Sequence, residues 1–185
     1  MTIEIQRPHR RNALDGLVIA QLRYAFEALT DAGVRAVVLT GQGSFFCSGI
    51  DADEKNCTWS PLLVDELLGE AVALTRAIGL CPAPVIAAVN GPAIGVGLQL
   101  AAICDQRIVD PTAYFQLPAT NYGRIVDGWA TRRLSTLVGV SRSRATLLSE
   151  QKLSADEALA CGLASRIGTV ADAQRSAHQI ASYFQ

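Results

Sequence analysis

Apolar residues recur along the chain at two periods, and the alternation between them outlines the elements. Residues 2–6 (TIEIQ) alternate apolar and polar, the pattern of a half-buried strand. The runs RAVVLTG (35–41) and PVIAAVNG (84–91) are continuously apolar and end in glycine, as strands buried on both faces do. Between them, residues 15–32 carry Leu17, Val18, Leu22, Ala25, Phe26 and Leu29 at helical spacing. Residues 61–80 do the same with Leu63, Leu67, Leu68, Ala71 and Leu74 until Pro82 and Pro84 stop them. A helix is predicted from Val96 to Cys104, a short strand in QRIVD (106–110), and helices over 127–138 and 141–149. The run LSADEALACGL (153–163) reads as a helix with Ser154 as its cap and Glu157 at the capping-box position. A short strand in ASRIG and an amphipathic helix over 170–183 follow. RPHRRNALD (7–15) and QGSFFCSGIDADE (42–54) read as connections, and no internal repeat is visible.

Buried apolar strands separated by helices predict an α/β fold with a mostly parallel sheet. Ligands in such folds sit at strand-to-helix turns, and two turns qualify: TGQGSFFCSGID and NGPAIGVGLQ. Composition narrows the rest. A chain of 185 residues with 50% hydrophobic and 18% charged side chains suits one globular domain, 1–185. The 16 basic and 17 acidic side chains nearly cancel, so no nucleic-acid surface is expected. Only Lys55 and Lys152 of the basic residues are lysine, a bias read as genome composition. The odd set Cys47, Cys57, Cys81, Cys104 and Cys161 has no CxxC, which predicts reduced, buried thiols. His9 and His178 stand far apart, and no metal site is expected. Without a long apolar run or a signal peptide, a soluble, cytoplasmic protein with no membrane span is expected.

The glycine-rich turn has a chemical reading. A helix N-terminus presents unpaired N–H groups and a partial positive charge. Gly91, Gly95 and Gly97 permit dihedrals that aim those groups outward, and Ser48–Gly49–Ile50 supplies a second tight turn. Two N–H groups converging from separate loops would polarise a thioester carbonyl. The alternative is that the glycines allow close helix–strand packing. A dinucleotide fingerprint fails, because no third glycine follows Gly95 and Gly97 at the required spacing.

Six motifs run in order: RPHRRNALD at 7–15, RAVVLTGQGSFFCSGID at 35–51, PVIAAVNGPAIGVGLQLAAICDQRIVD at 84–110, AYFQLP at 113–118, RRLSTLVG at 132–139 and LSADEALACGLASRIG at 153–168. Together they resemble the crotonase superfamily, the enoyl-CoA hydratases and isomerases. The resemblance implies a spiral of repeated ββα units and a coenzyme A thioester as ligand, with no other cofactor. It places the oxyanion donors at the N–H groups of Ile50 and Val96. It places Asn12, Ala13, Leu14, Ser48, Asp51, Ala52, Gly95, Gln99 and Ala119 around the acyl-CoA groove. The leucines of 61–80 would border the acyl tail or simply pack the core. If Leu62 or Leu63 faces the pocket, a long acyl chain is implied.

The chain departs from the hydratase pattern at both glutamate positions, which are Gln99 and Ala119 here. A carboxamide orients water but does not move protons, and alanine does neither. Asp127 falls where dienoyl-CoA isomerases and a dehalogenase of the superfamily keep a working aspartate, and it also suits a helix cap. Asp51 and Asp53 read as loop and cap residues. By the resemblance, a strand usually precedes TIEIQ, and further helices that cover the pocket and build a trimer follow the last helix. The chain therefore reads as shortened at both ends, with the C-terminal helical part largely absent. A homotrimer or a dimer of trimers is implied for a full-length form. The reading reached is a fatty acyl-CoA-binding protein of lipid metabolism without hydratase activity, resembling a non-hydratase branch that serves mycolic-acid-type synthesis alongside other lipid-synthesis enzymes. The alternatives are an active isomerase with Asp127 as base, and a non-binding subunit that pairs with an active crotonase.

Overall fold

Strands Val37–Gly41 (β2) and Val85–Val89 (β3) are buried at every position. Strands apolar on both faces demand cover on both faces, and a parallel sheet with crossover helices supplies it. The computed structural model describes residues 1–31, 33–51, 61–118, 128–149 and 151–183. Its main sheet is five-stranded and parallel, in the order Thr2–Ile5 (β1), β2, β3, Gln106–Val109 (β5) and Arg166–Ile167 (β8). Register pairs Ile3 with Leu39, Leu39 with Ala87, and Ala87 with Arg107.

Alternate residues of each strand serve two cores. Ile3, Val37, Leu39, Val85, Ala87 and Val89 face the larger core, with Gly16–Glu27 (α1), Pro61–Gly79 (α2) and Val96–Ile103 (α3). Ala36, Val38, Ile86, Ala88 and Ile108 face a smaller one, closed by Ala173 and Ala177 of Val170–Ser182 (α7). Helix α1 buries Ile19, Leu22 and Phe26, and Leu29 continues the stripe. Leu17, expected on that face, is 67% exposed, because a 100° step per residue carries it off the stripe.

A second, three-stranded sheet was not predicted. Ala93–Ile94 (β4) pairs in parallel with Tyr114–Gln116 (β6), which pairs antiparallel with Leu153–Ser154 (β7). Leu153 and Ser154 therefore belong to a strand, and the helix expected over 153–163 is confined to Ala155–Ala160 (α6). Its capping box forms as expected: Ser154 Oγ accepts the Glu157 N–H, and the Glu157 carboxylate accepts the Ser154 N–H at 2.8 Å. Thr169 and Asp172 repeat the device on α7. Helices Gly128–Val138 (α4) and Val140–Ser149 (α5) lie within a residue of their predicted starts.

Among the described residues no helix is long and apolar enough to cross a membrane, and no group of three metal-ligating side chains occurs. The four described cysteines are unpaired.

Candidate functional site

Both turns singled out from the sequence meet beside the N-terminus of α3. The segment 46–51 runs between two neighbours. Cys47 bridges to Ala93 on one side, with the Ile94 N–H donating to the Cys47 carbonyl at 2.9 Å. Leu14 bridges to Ile50 on the other, through Leu14 N–H to Gly49 O and Asp51 N–H to Leu14 O, both 2.8 Å. A parallel bridge of this kind leaves the central residue's own N–H pointing away from the partner strand. The Ile50 N–H has no acceptor among the described residues, and neither has that of Val96, the first residue of α3. The two loops approach closely: a side-chain carbon placed on Gly49, the residue before Ile50, would stand 3.6 Å from the Val96 nitrogen.

Two glycines make this convergence possible. Gly95 caps α3 at φ 57° and ψ −119°, a conformation that side chains resist. Gly97 packs so tightly on the Cys47 backbone that a β-carbon there would overlap the Cys47 carbonyl. The close-packing reading of the glycines therefore holds at Gly97, where that packing brings the loop against the helix. The other end of α3 is covered by cations. Arg107, buried, donates from Nη1 to Cys104 O at 2.6 Å and from Nε to Leu163 O. Arg133 on α4 donates to Ala102 O at 3.1 Å and to Cys104 O at 3.4 Å. Guanidiniums at this end offset the partial negative charge of the unpaired carbonyls.

The helix is buried nearly all round, and Gln99 and Ile103 are its half-open positions. Gln99 is three residues past Val96, on the same side of the helix. No residue of α3 is a carboxylate.

The residues expected to line the groove divide. Gly95, Ser48 and Asp51 are partly exposed near the donors. Asn12, Ala13 and Leu14 are buried, with Asn12 and Leu14 wholly enclosed and Ala13 6% exposed. The reason is hydrogen bonding: Asn12 Nδ2 donates to Gln42 O at 2.9 Å and Phe45 O at 2.6 Å, and Oδ1 accepts the Arg7 N–H at 3.0 Å. Asp51 is held by two arginines, Arg10 at 2.6 Å and Arg7 at 3.1 Å, and Arg7 also reaches Asp15 at 3.1 Å. The Arg10 hydrogen bond, with Arg7 behind it, holds the Asp51 carboxyl below its ordinary range. Asp51 is thus an anchor of the loop. Ala52, Asp53, Ala119 and Asp127 lie outside the described residues, and the side chains of Leu62 and Leu63 do as well.

A thiol lies in the same loop. Cys47 is wholly buried, and burial pushes its thiol up to about 12 against the opposing effect of the Gly49 N–H. It stays a neutral thiol at neutral pH, unsuited to attack on a thioester.

Comparison with known proteins identifies the family to which this fold belongs. The family model for enoyl-CoA hydratase/isomerase matches residues 1–184. The "Probable enoyl-CoA hydratase echA6" of Mycobacterium tuberculosis is 50% identical over 181 residues, which is 98% of this chain and 72% of the relative. The short-chain-enoyl-CoA hydratase of Clostridium acetobutylicum is 35% identical over 183 residues, 97% of this chain and 69% of its own. The crystal structure of an enoyl-CoA hydratase from Mycobacterium smegmatis superposes with a TM-score of 0.87 at 33% identity, covering 98% of this chain and 71% of the other. With the motifs, the parallel sheet and these matches in agreement, the chain belongs to the enoyl-CoA hydratase/isomerase family of the crotonase superfamily.

Proposed function

We propose that the protein holds a fatty acyl-CoA thioester with its carbonyl oxygen between the N–H groups of Ile50 and Val96, and does not hydrate it. The observation that carries this reading is the meeting of two unsatisfied donors beside a helix side on which the polar residue is Gln99. Two preorganised N–H groups in a water-poor pocket stabilise negative charge on the thioester oxygen. Hydration also needs a group that takes a proton from water and returns one to carbon. The Gln99 carboxamide orients a water but holds no transferable proton at neutral pH. The side chain of Ala119 has no polar atom. The two arginines on Asp51 keep that carboxylate occupied as well.

A long aliphatic tail suits the leucine-rich α2, where Leu67 and Leu68 are half-buried while Leu74 belongs to the core. Each buried methylene adds about 0.8 kcal/mol. Fatty-acid or lipid metabolism is the setting that such a ligand implies.

Calorimetry with palmitoyl-CoA and acetyl-CoA tests the binding. Palmitoyl-CoA is expected to bind the more tightly, and no binding of either at ~100 μM, far above the affinity that such burial supplies, defeats the proposal. Loss of enoyl absorbance from crotonyl-CoA tests the chemistry. Turnover near the enzyme median of ~10 s⁻¹ would show that protons move without Gln99 or Ala119, and Asp127→Asn would then report whether Asp127 carries them.

A further inference from the structure

The turn between β2 and the donor loop is gripped by two asparagine side chains that arrive from distant parts of the chain. Asn12 is one. Both amide hydrogens are spent on the carbonyls of Gln42 and Phe45, and its oxygen is taken by the Arg7 N–H. Asn90, between β3 and β4, is the other. Its Nδ2 donates to Gly43 O at 2.8 Å and to Phe45 O at 3.4 Å, and its Oδ1 accepts from Gly41 N–H at 3.1 Å and Thr40 Oγ1 at 3.2 Å. The Phe45 carbonyl thus receives one amide from each side.

The backbone at Asn12 is itself unusual. Arg11 and Asn12 take φ of 54° and 55° in succession, a conformation that costs energy for residues other than glycine and persists when surrounding bonds hold it. Those bonds are present: the Arg11 N–H donates to Pro8 O at 3.1 Å and the Asn12 N–H to Arg7 O at 2.9 Å. This conformation turns the Asn12 amide inward, where the residue is wholly enclosed.

The gripped turn lies just before one donor in the chain, and the second arm, Asn90, lies just before the other. Five residues after Phe45 comes Ile50, and six after Asn90 comes Val96. We infer that Asn12 and Asn90 form a two-armed clamp whose work is to fix the separation of the Ile50 and Val96 N–H groups, so that both are positioning residues and Asn12 is not a ligand contact. The inference rests on the acyl-thioester reading for its functional meaning, and on the hydrogen bonds alone for its mechanics.

The test uses palmitoyl-CoA labelled with ¹³C at the thioester carbonyl, read by infrared difference spectroscopy, with Asn12→Gly, Asn90→Ala and the double variant. Glycine accommodates a φ of 55°, so Asn12→Gly removes the arm without straining the backbone. The carbonyl stretch of the bound wild-type complex is expected to fall below that of free ligand. Each single variant should reduce that displacement by about half and weaken binding about tenfold, the scale of a lost buried hydrogen bond. The double variant should be little worse than the weaker single, because both arms converge on one carbonyl. Ala177→Gly, on the far face of the sheet, serves as a control that lowers thermal stability and leaves the displacement whole. A folded Asn12→Gly or Asn90→Ala protein with the wild-type displacement overturns the clamp, as does equal loss in the control. If Asn12→Gly does not fold, Asn90→Ala decides by the same criterion.

A wild-type protein that binds no acyl-CoA defeats the thioester reading instead, and the clamp is then judged by amide hydrogen exchange without ligand. Asn12→Gly should accelerate exchange at Ile94, which lies on the other arm's segment and donates to Cys47. Acceleration confined to the segment around residue 12 overturns it.

Discussion

The two ends of α3 are treated in opposite ways. At its C-terminal end, carbonyls of Ala102 and Cys104 are met by the guanidiniums of Arg107 and Arg133. At its N-terminal end the Val96 N–H finds no acceptor among the described residues, although the Cys47 backbone presses directly on Gly97. A short helix always leaves polar groups unpaired at both ends. Here one end is closed by side chains that the fold itself provides, and the other keeps a backbone N–H without an acceptor among the described residues. On the function proposed above, the open end receives the ligand oxygen, whereas the closed end serves stability.

That contrast ranks the variants by stability lost. Gly97→Ala should do most damage. Its β-carbon would overlap the Cys47 carbonyl, and backbone on both sides leaves little room to yield, so a loss of about 3 kcal/mol is expected in denaturant melts. A change within 0.5 kcal/mol would mean that the helix and loop are not in firm contact. Arg107→Met comes next. It leaves the carbonyls of Cys104 and Leu163 short of a buried donor and should cost about 2 kcal/mol, with palmitoyl-CoA affinity per folded molecule unchanged. A fall in affinity as large as the fall in stability would remove the distinction between the two ends.

The loop facing the open end has its own electrostatic anchor, which pH can probe. Arg10 and Arg7 hold the Asp51 carboxyl below its ordinary range. A depressed carboxylate contributes stability above its unfolded value, and that contribution disappears as pH falls through the folded one. The wild type should therefore exceed Asp51→Asn by about 1 kcal/mol at pH 7, and the gap should close as the medium is acidified below the usual carboxylate range. A constant gap would assign the loss to packing. The smallest stability effect belongs to Val96→Pro. Proline is tolerated at the first residue of a helix, where the N–H has no intrahelical partner. The fold should survive within about 1 kcal/mol, yet palmitoyl-CoA should lose affinity and its carbonyl should lose polarisation. Unchanged binding would show that the open end holds nothing.

How much of this was legible in the sequence follows from the range of the interactions. The central strands were plain because burial on both faces makes them continuously apolar, as Val37–Gly41 and Val85–Val89 are. The Ser154 cap was plain because its partner lies three residues away. Thr169 and Asp172 carry the same signal with a shorter acid and were not singled out. The strands β4, β6 and β7 are two or three residues long, too short for any period to emerge. The two turns that meet beside α3 were visible from their glycines, but the enclosure of Asn12 was not, because its partners lie 30 and 33 residues away. Asp51 looked like a loop residue until Arg10, 41 residues distant, appeared beside it.

The order of strands in the main sheet has a consequence for biosynthesis. From one edge to the other the strands are β1, β2, β3, β5 and β8, the order in which they leave the ribosome. Among the described strands of this sheet, each could therefore dock on the one made before it, with no later strand having to slot between neighbours. At about 5–20 residues per second, the sheet grows outward at the pace of translation, with a single advancing edge. Codon choice or a pause after Val89 would thus decide how long β3 stays uncovered before Gln106–Val109 arrives to pair with it.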